Sequence, residues 1–460
     1  MHGITAYGAY VPRFVLERRA IADALGTPAA GGLRSVAAHD EDSTSMGVEA
    51  ARRAVARSPR APRALHFATS APAYADKTNA NAIHAALRLD RGVFAADFAG
   101  AVRGAAGALR AAGACDGLAV LSDVRTGRPG SADERDGGDG AAAFAFGSGD
   151  DVIAEVLGTG TATAEFLDRW RLPGERVSRV WEERFGAQAY EPLMGAVVAD
   201  ALSDAGVERV DHVVVGSLHT RAAAALRRQI EGDQAASELD ALIGCAGAAH
   251  VGIGLADVLD RAEPGETALV VLAADGCDAW VLRATDALPT RRAGEPVREQ
   301  LDGRFPVSYG DYLTWRGLLE REPPRRPDPD RPASPASART ESWKFGFVAS
   351  RCTRCSAVNL PPQRICVSCG GVDGMEPVSL AGDTGTIRTY AVDRLAHSLA
   401  PPVIDVVVDF EAGGRYQCEL ADARPEAIAV GDRVEMTFRR LYTAGGVHNY
   451  FWKAKPSRRT

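Results

Sequence analysis

Over the first two thirds of the chain, short apolar runs alternate with segments of helical spacing. Residues 64–68, 93–97, 117–123 and 139–146 read as buried strands. Between them, residues 80–87 and the small-residue stretch 101–112 have helical periodicity. The order then recurs, with a helix at 194–205, a β-branched strand at 210–215, helices at 221–231 and 251–261, and strands at 267–273 and 279–283. Alternation of this kind predicts a layered α/β fold, and its recurrence predicts an internal duplication with halves at 1–185 and 186–320. The pattern breaks at 320–340, EREPPRRPDPDRPASPASART, which is proline-rich, charged and aperiodic. That composition predicts a linker or extended strap over 321–343. Beyond it, residues 386–392, 402–410, 416–421 and 433–441 are strand-like, with glycine and proline punctuation, and predict a small all-β barrel over 381–460.

Composition narrows the function classes. The chain has 460 residues, 46% of them apolar, and a formal net charge of -7. A mildly acidic chain argues against nucleic acid as a partner. No apolar run approaches the ~18 residues of a membrane span, and the first residues lack a basic segment followed by a long apolar run. These features, with cysteines scattered at 115, 245, 277 and 418, predict a cytoplasmic protein without a membrane partner.

The other cysteines form two CxxC pairs, Cys352-Thr-Arg-Cys355 and Cys366-Val-Ser-Cys369, ten residues apart. Four thiolates at this spacing can surround one ion and leave it no open position, so they predict a structural zinc ribbon at 344–380. Redox pairs or disulfides are the alternative. A ribbon followed by a barrel can also bind nucleic acid, but the barrel's one basic–aromatic strip is Arg439-Arg440-Leu441-Tyr442.

Longer segments carry a family resemblance. GITAYGAYVPRFVLERRAIADALG, HFATSAPAYADKTNANAIHAAL, GVFAADFAGAVRGAAGAL, DGGDGAAAFAFGSGDDVIAEVLGTGTATAEFLDRWRLPGE, IGCAGAAHVGIGLADVLDRAEPGETALVVLAADGCDAWVL and FPVSYGDYLTWRGLL resemble the hydroxymethylglutaryl-CoA synthase branch of the thiolase superfamily. The ribbon and barrel resemble small acyl-CoA-associated proteins that partner thiolase-like enzymes, here fused to the same chain. The resemblance implies a duplicated α-β-α-β-α layered fold followed by a zinc ribbon and an OB-type barrel. It also implies a homodimer, a coenzyme A or acyl carrier protein thioester as substrate, and structural zinc.

The family chemistry uses a cysteine that takes the acyl group, a glutamate that moves the proton, and a histidine that orients the thioester. By motif position these fall on Val102, Ser70 and Gly216. None of the three can do the family's work, so the usual synthase reaction through a cysteine acyl-enzyme is not expected. The resemblance places other reactive groups at the pocket: His219 and His250 as possible bases, Cys245 as a thiol, Tyr309 with Asp311, and Tyr74, Asp76 and Lys77 after Ser70. Each also has a bland reading, as a loop, cap or packing residue, and free cysteine packs like a small hydrophobe. Asp97 reads as a turn-holding residue. Gly244 and Gly247 read as positions where backbone amides approach a ligand or a helix closely, although their spacing is not that of a dinucleotide fingerprint. Two classes of function therefore stand side by side. One is an acyltransferase or aldolase-type enzyme of altered chemistry; the other is a non-catalytic scaffold or carrier-binding protein.

Overall fold

The apolar runs pair into one nine-stranded sheet in the computed structural model, which describes residues 1–322, 329–396 and 398–457. Its strands are β1 (His2–Tyr10), β2 (Ala64–Thr69), β3 (Phe94–Ala99), β4 (Leu118–Val124), β5 (Asp139–Ser148), β6 (Ala154–Ala162), β7 (His212–Ser217), β8 (Thr267–Ala273) and β9 (Cys277–Ala284). From the centre outward one half runs β1-β5-β4-β2-β3 and the other β6-β9-β8-β7. In each half the inner pairs are antiparallel and the outer pairs, β4 with β2 and β8 with β7, are parallel. The strand order repeats between the halves, but β6 lies before residue 185 and belongs to the second half, so the halves do not divide at the expected 185/186. The halves join where Gly3 pairs Glu155 and Ile4 pairs Ala154.

Six helices frame the sheet and the cleft at its edge: α1 (Ser43–Arg57), α2 (Gly104–Ala114), α3 (Ala132–Asp136), α4 (Glu183–Ala205), α5 (Thr220–Arg227) and α6 (His250–Arg261). Helices α1 and α6 are buried nearly all round, as inner helices of a layered fold must be. Small residues let them lie directly on strands; a Cβ at Gly252 of α6 would stand 2.8 Å from Ala142 Cβ on β5. Helix α1 starts with a capping box, in which the Asp42 carboxylate accepts from Ser45 N and Ser45 Oγ accepts from Asp42 N, both at 2.9 Å. The end of α6 is tied to β1 by Asp260, which accepts from Tyr7 Oη at 2.7 Å and Val297 N at 2.8 Å. None of the described helices is long and apolar enough to cross a membrane.

Close contacts divide the chain into two units, one of Met1–Ala38, Asp42–Ile83 and Asp90–Tyr312, the other of His39–Glu41, His84–Leu89 and Leu313–Thr460. In the second unit β10 (Val348–Cys352) pairs with β11 (Val358–Asn359) and β12 (Met375–Ser379) in the cysteine-bearing ribbon. The barrel sheet then runs β15 (Arg415–Glu419), β14 (Val403–Phe410), β13 (Thr384–Asp393), β16 (Arg433–Ala444) and β17 (Val447–Pro456). Leu420 bridges to Ala454 and curls the sheet toward closure. Its core is aromatic, with Phe347, Phe438 and Trp452 fully buried. Beside it lies a buried ion network. Arg439, shielded from water, contacts Glu41 at 2.8 Å and Asp422 at 2.6 Å, and Lys453 contacts Asp40 at 2.8 Å and Glu419 at 2.5 Å.

The strand β17 breaks the apolar pattern because Lys453 is buried in that network, and so the sequence does not announce it. The expected linker also differs in part. Residues 323–328 lie outside the described residues, but Ser334–Arg339 is a short helix, with Pro335 in its first turn, where a fixed φ is compatible with helix.

Burial pushes the Asp260 carboxyl up to about 6, with neighbouring Asp257 adding to the shift. An unfolded aspartate titrates near ~4. The stability contributed by protonated Asp260 is therefore complete below about pH 4 and is lost as the pH rises through 6. An Asp260→Asn variant cannot ionise there. Its unfolding free energy relative to the parent should rise by roughly 2 kcal/mol between pH 4 and pH 7 and then level off, read by urea denaturation at a series of pH values.

Candidate active-site cleft

Strand β4 ends in Asp123-Val124 and is followed by Arg125, placing two charges at the carboxyl end of a parallel strand. Asp123 is fully buried. Its Oδ1 accepts from Thr69 Oγ1 at 3.1 Å and Ser70 N at 2.9 Å, and its Oδ2 from Ser70 Oγ at 2.8 Å and Ala248 N at 2.9 Å. Arg125 donates from Nη1 to Ser70 Oγ at 2.8 Å, and Arg171 donates to the Ser70 carbonyl. Arg125 also lines a cleft of about 640 Å³, walled by α3, by the hairpin Arg169–Trp170 with Arg179–Val180, by the start of α5 and by Cys245. Asp168, Arg169 and His219 line it as well.

Of the residues singled out from sequence, His219 and Cys245 share this cleft, and Ser70 reaches it through Arg125. His219 caps α5. Its Nδ1 accepts from Ala222 N at 3.1 Å and its Nε2 lies 2.8 Å from the Glu183 carbonyl, so it donates there as the Nε2–H tautomer. Both ring nitrogens are thereby occupied. Cys245 faces the Ser217 carbonyl at 3.5 Å, and burial, followed by the nearby Asp240 charge, pushes its thiol up to about 11.

The structure places the other residues elsewhere. His250 does not line the cleft; its Nε2 stands 3.0 Å from Asp240 Oδ1, and Asp240 also pairs with Arg227 at 2.6 Å. Burial opposes ionisation of Asp240, but His250 and Arg227 hold its carboxyl down to about 2. Tyr309 lies behind α3, where its hydroxyl is 3.2 Å from both Glu134 carboxylate oxygens, and burial and that carboxylate push the phenol well above its ordinary range. Tyr74 contacts Asn79 through its backbone, Lys77 is exposed, and Asp311 bonds Ser308 at 2.6 Å. Asp97 accepts from Asn79 N and Ala80 N, both at 2.7 Å, and so holds the turn into the following helix.

Gly244 and Gly247 have φ of +79° and +53°, and a Cβ on either would collide with protein, the Gly137 carbonyl and the Asp123 carboxylate respectively. Their close approach is to the chain itself. Of the three residues read from sequence as motif positions, Val102 is buried in the core, Ser70 is held as described, and a Cβ at Gly216 would collide with Val251 and stand 3.3 Å from His250 Cδ2.

Sequence reasoning missed Asp123, Arg125, Asp168 and Arg169. The available signal was a charged pair directly after an apolar strand, and the acidic–basic pair within FLDRWRLPGE. In the ribbon, the four sulfurs of Cys352, Cys355, Cys366 and Cys369 all lie within 4.8 Å of one another, with Cys352–Cys369 at 3.7 Å and Cys355–Cys366 at 3.6 Å. A tetrahedral ion with metal–sulfur bonds of ~2.3 Å requires sulfur separations near ~3.8 Å, whereas a disulfide requires ~2.05 Å. The cluster can hold one metal ion.

Comparison with known proteins agrees with this architecture. Residues 378–439 match the family model described as ChsH2, C-terminal OB-fold domain. The hydroxymethylglutaryl-CoA synthase of Methanopyrus kandleri is 30% identical over 343 residues, covering 69% of this chain and 98% of that protein. A solved structure described as MvaS in complex with 3-hydroxy-3-methylglutaryl coenzyme A superposes with a TM-score of 0.59 at 19% identity, over 69% of this chain and 92% of its own. The HMG synthase of the curacin biosynthetic pathway, in complex with acetyl donor-ACP, superposes with a TM-score of 0.57 at 17% identity, over 68% and 88%.

The Cys245 thiol, held at about 11, is protonated at neutral pH. Its alkylation by iodoacetamide at pH 8 should run about 100-fold slower than that of an unperturbed thiol, measured by peptide mass spectrometry over time.

Proposed function

This chain belongs to the hydroxymethylglutaryl-CoA synthase family, and on that footing we propose that it processes an acyl thioester without forming an acyl-enzyme on cysteine. The observation that carries this reading is the residue set at the family's motif positions, Val102, Ser70 and Gly216. A valine side chain in the core has no nucleophile to offer. A serine hydroxyl engaged by both Asp123 and Arg125 is no substitute for a mobile carboxyl proton carrier. Cys245 does not replace the missing thiolate, because its thiol is protonated. What remains is carbon–carbon bond or acyl-transfer chemistry that needs a base and stabilisation of a developing oxyanion.

The substrate is a thioester on coenzyme A or on an acyl carrier protein. Support comes from the two structural relatives, one holding 3-hydroxy-3-methylglutaryl coenzyme A and one an acetyl donor-ACP. A non-catalytic carrier-binding role is the second reading, and the full engagement of both His219 nitrogens favours it. Zinc is the metal we assign to the cysteine cluster, since four thiolates at tetrahedral spacing suit it and leave no catalytic position. Dimerisation would use β3, one of the two edge strands of the sheet, whose flank is partly exposed.

Incubation with acetyl-CoA followed by intact-mass measurement should show no covalent acetyl adduct. Calorimetry should show the thioester binding. An adduct on any cysteine would sink the acyl-enzyme-free reading, and absence of binding by every short acyl-CoA would sink the thioester reading. Native mass spectrometry should give a pair of chains carrying one zinc each, with Cys366→Ser losing the metal.

A further inference from the structure

Two residues that line the cleft carry a buried polar atom without a partner among the described residues, Asp168 at Oδ1 and Arg169 at Nε, and Asp168 is the only acid of the two. Asp168 is 4% exposed, it lines the cleft, and its Oδ1 accepts from no donor among the described residues. A buried carboxylate oxygen without a donor is costly, by roughly 1–3 kcal/mol or more for a charged group. Of the other acids lining the cleft, Asp133 is paired with Arg169 and Asp136 with Arg135 at 2.6 Å, while Glu183 is exposed to water and so differs from the buried Asp168. The first turn of α4 closes over Asp168. A Cβ at Gly186 would stand 2.5 Å from Asp168 Oδ1 and 2.7 Å from His219 Cδ2, so only glycine lets the helix come this close.

The same cleft holds a cation with donors to spare. Arg125 is 7% exposed and its Nη1 is used on Ser70, while its other side-chain N–H groups have no acceptor among the described residues. Asp123, 3.9 Å away, keeps the guanidinium in place. One free acceptor and one free planar donor in a single buried cleft match a ligand that carries a hydroxyl and a carbonyl.

We propose that Asp168 is the proton carrier, and Arg125 the enolate-stabilising group, for reversible aldol cleavage of a β-hydroxyacyl thioester. The proposal rests on the thioester reading above and names the substrate class and chemistry of that site. In the cleavage direction the Asp168 carboxylate takes the hydroxyl proton. The oxygen lone pair forms the new carbonyl, the bond between the α and β carbons breaks, and its electrons move onto the thioester as an enolate. Arg125 hydrogen-bonds the enolate oxygen as its charge develops. Protonated Asp168 then returns its proton to the α carbon, which releases an aldehyde or ketone and a shortened acyl thioester. No oxidant, reductant or second substrate is required.

The return step can be isolated with acetyl-CoA alone, because a carboxylate that protonates the α carbon also removes its proton. The full-length protein in D2O should exchange the acetyl methyl hydrogens of acetyl-CoA, read by mass spectrometry of the recovered thioester. Asp168→Asn should slow the exchange by at least ~100-fold, and Arg125→Met by about 100-fold, while acetyl-CoA affinity by calorimetry stays within a few-fold. Asp168→Ala, measured in parallel, covers misfolding of the asparagine variant. Exchange at the parental rate in folded Asp168→Asn or Asp168→Ala overturns the proposal, as does a parent that binds acetyl-CoA and does not exchange it. A parent that binds no acyl-CoA overturns the thioester reading itself, and calorimetry tells these failures apart.

Discussion

Asp123 is a fully buried carboxylate that answers to four donors: three from Thr69 and Ser70 at the end of β2, and one from Ala248 just before α6. A charge taken out of water survives only if its lone pairs are met, and here they are. The requirement propagates outward. Residue 247 must lack a side chain, because a Cβ would strike the carboxylate, and the loop carrying Cys245 must therefore turn where it does. Arg125 takes its position from the Ser70 hydroxyl that Asp123 fixes. The floor of the cleft is thus set by one satisfied charge at the end of a strand.

From that floor, reactivity divides by what the fold has already spent. His219 and Cys245 have reactive side chains by type, yet one caps a helix with Nδ1 and donates from Nε2 to the Glu183 carbonyl, and the other holds its proton. His250 is drawn to the Asp240 carboxylate, away from the cleft. Asp168 and Arg125 are common residue types, and they retain unused hydrogen-bonding capacity in a buried place. Hydrogen-bond accounting, more than residue identity, separates structural groups from chemically available ones.

The second unit is held by different means. The buried Arg439 and Lys453 are each matched by carboxylates, which fixes where these strands can pair, since misregister would bury a charge alone. The four cysteines complete a site of tetrahedral size beside it.

Much of this was legible in the sequence. Hydrophobic periodicity located most sheet strands and one of the two inner helices, that at 251–261, because burial on both faces leaves runs that water could not tolerate. The CxxC spacing located the ribbon, because four thiolates so placed can converge locally. The strands His2–Tyr10, Ala154–Ala162 and Val447–Pro456 and the helix Ser43–Arg57 escaped notice; the first two strands are rich in small residues, and the third hides a buried lysine. For the cleft, the sequence by itself determined which reactive residue types lie in the segments around positions 70, 219 and 245. Only the tertiary structure decided which of those groups are free. Whether a side chain's donors and acceptors are satisfied depends on partners far away in the chain, such as Asp123 for Ala248 or Glu183 for His219, and no local pattern encodes them.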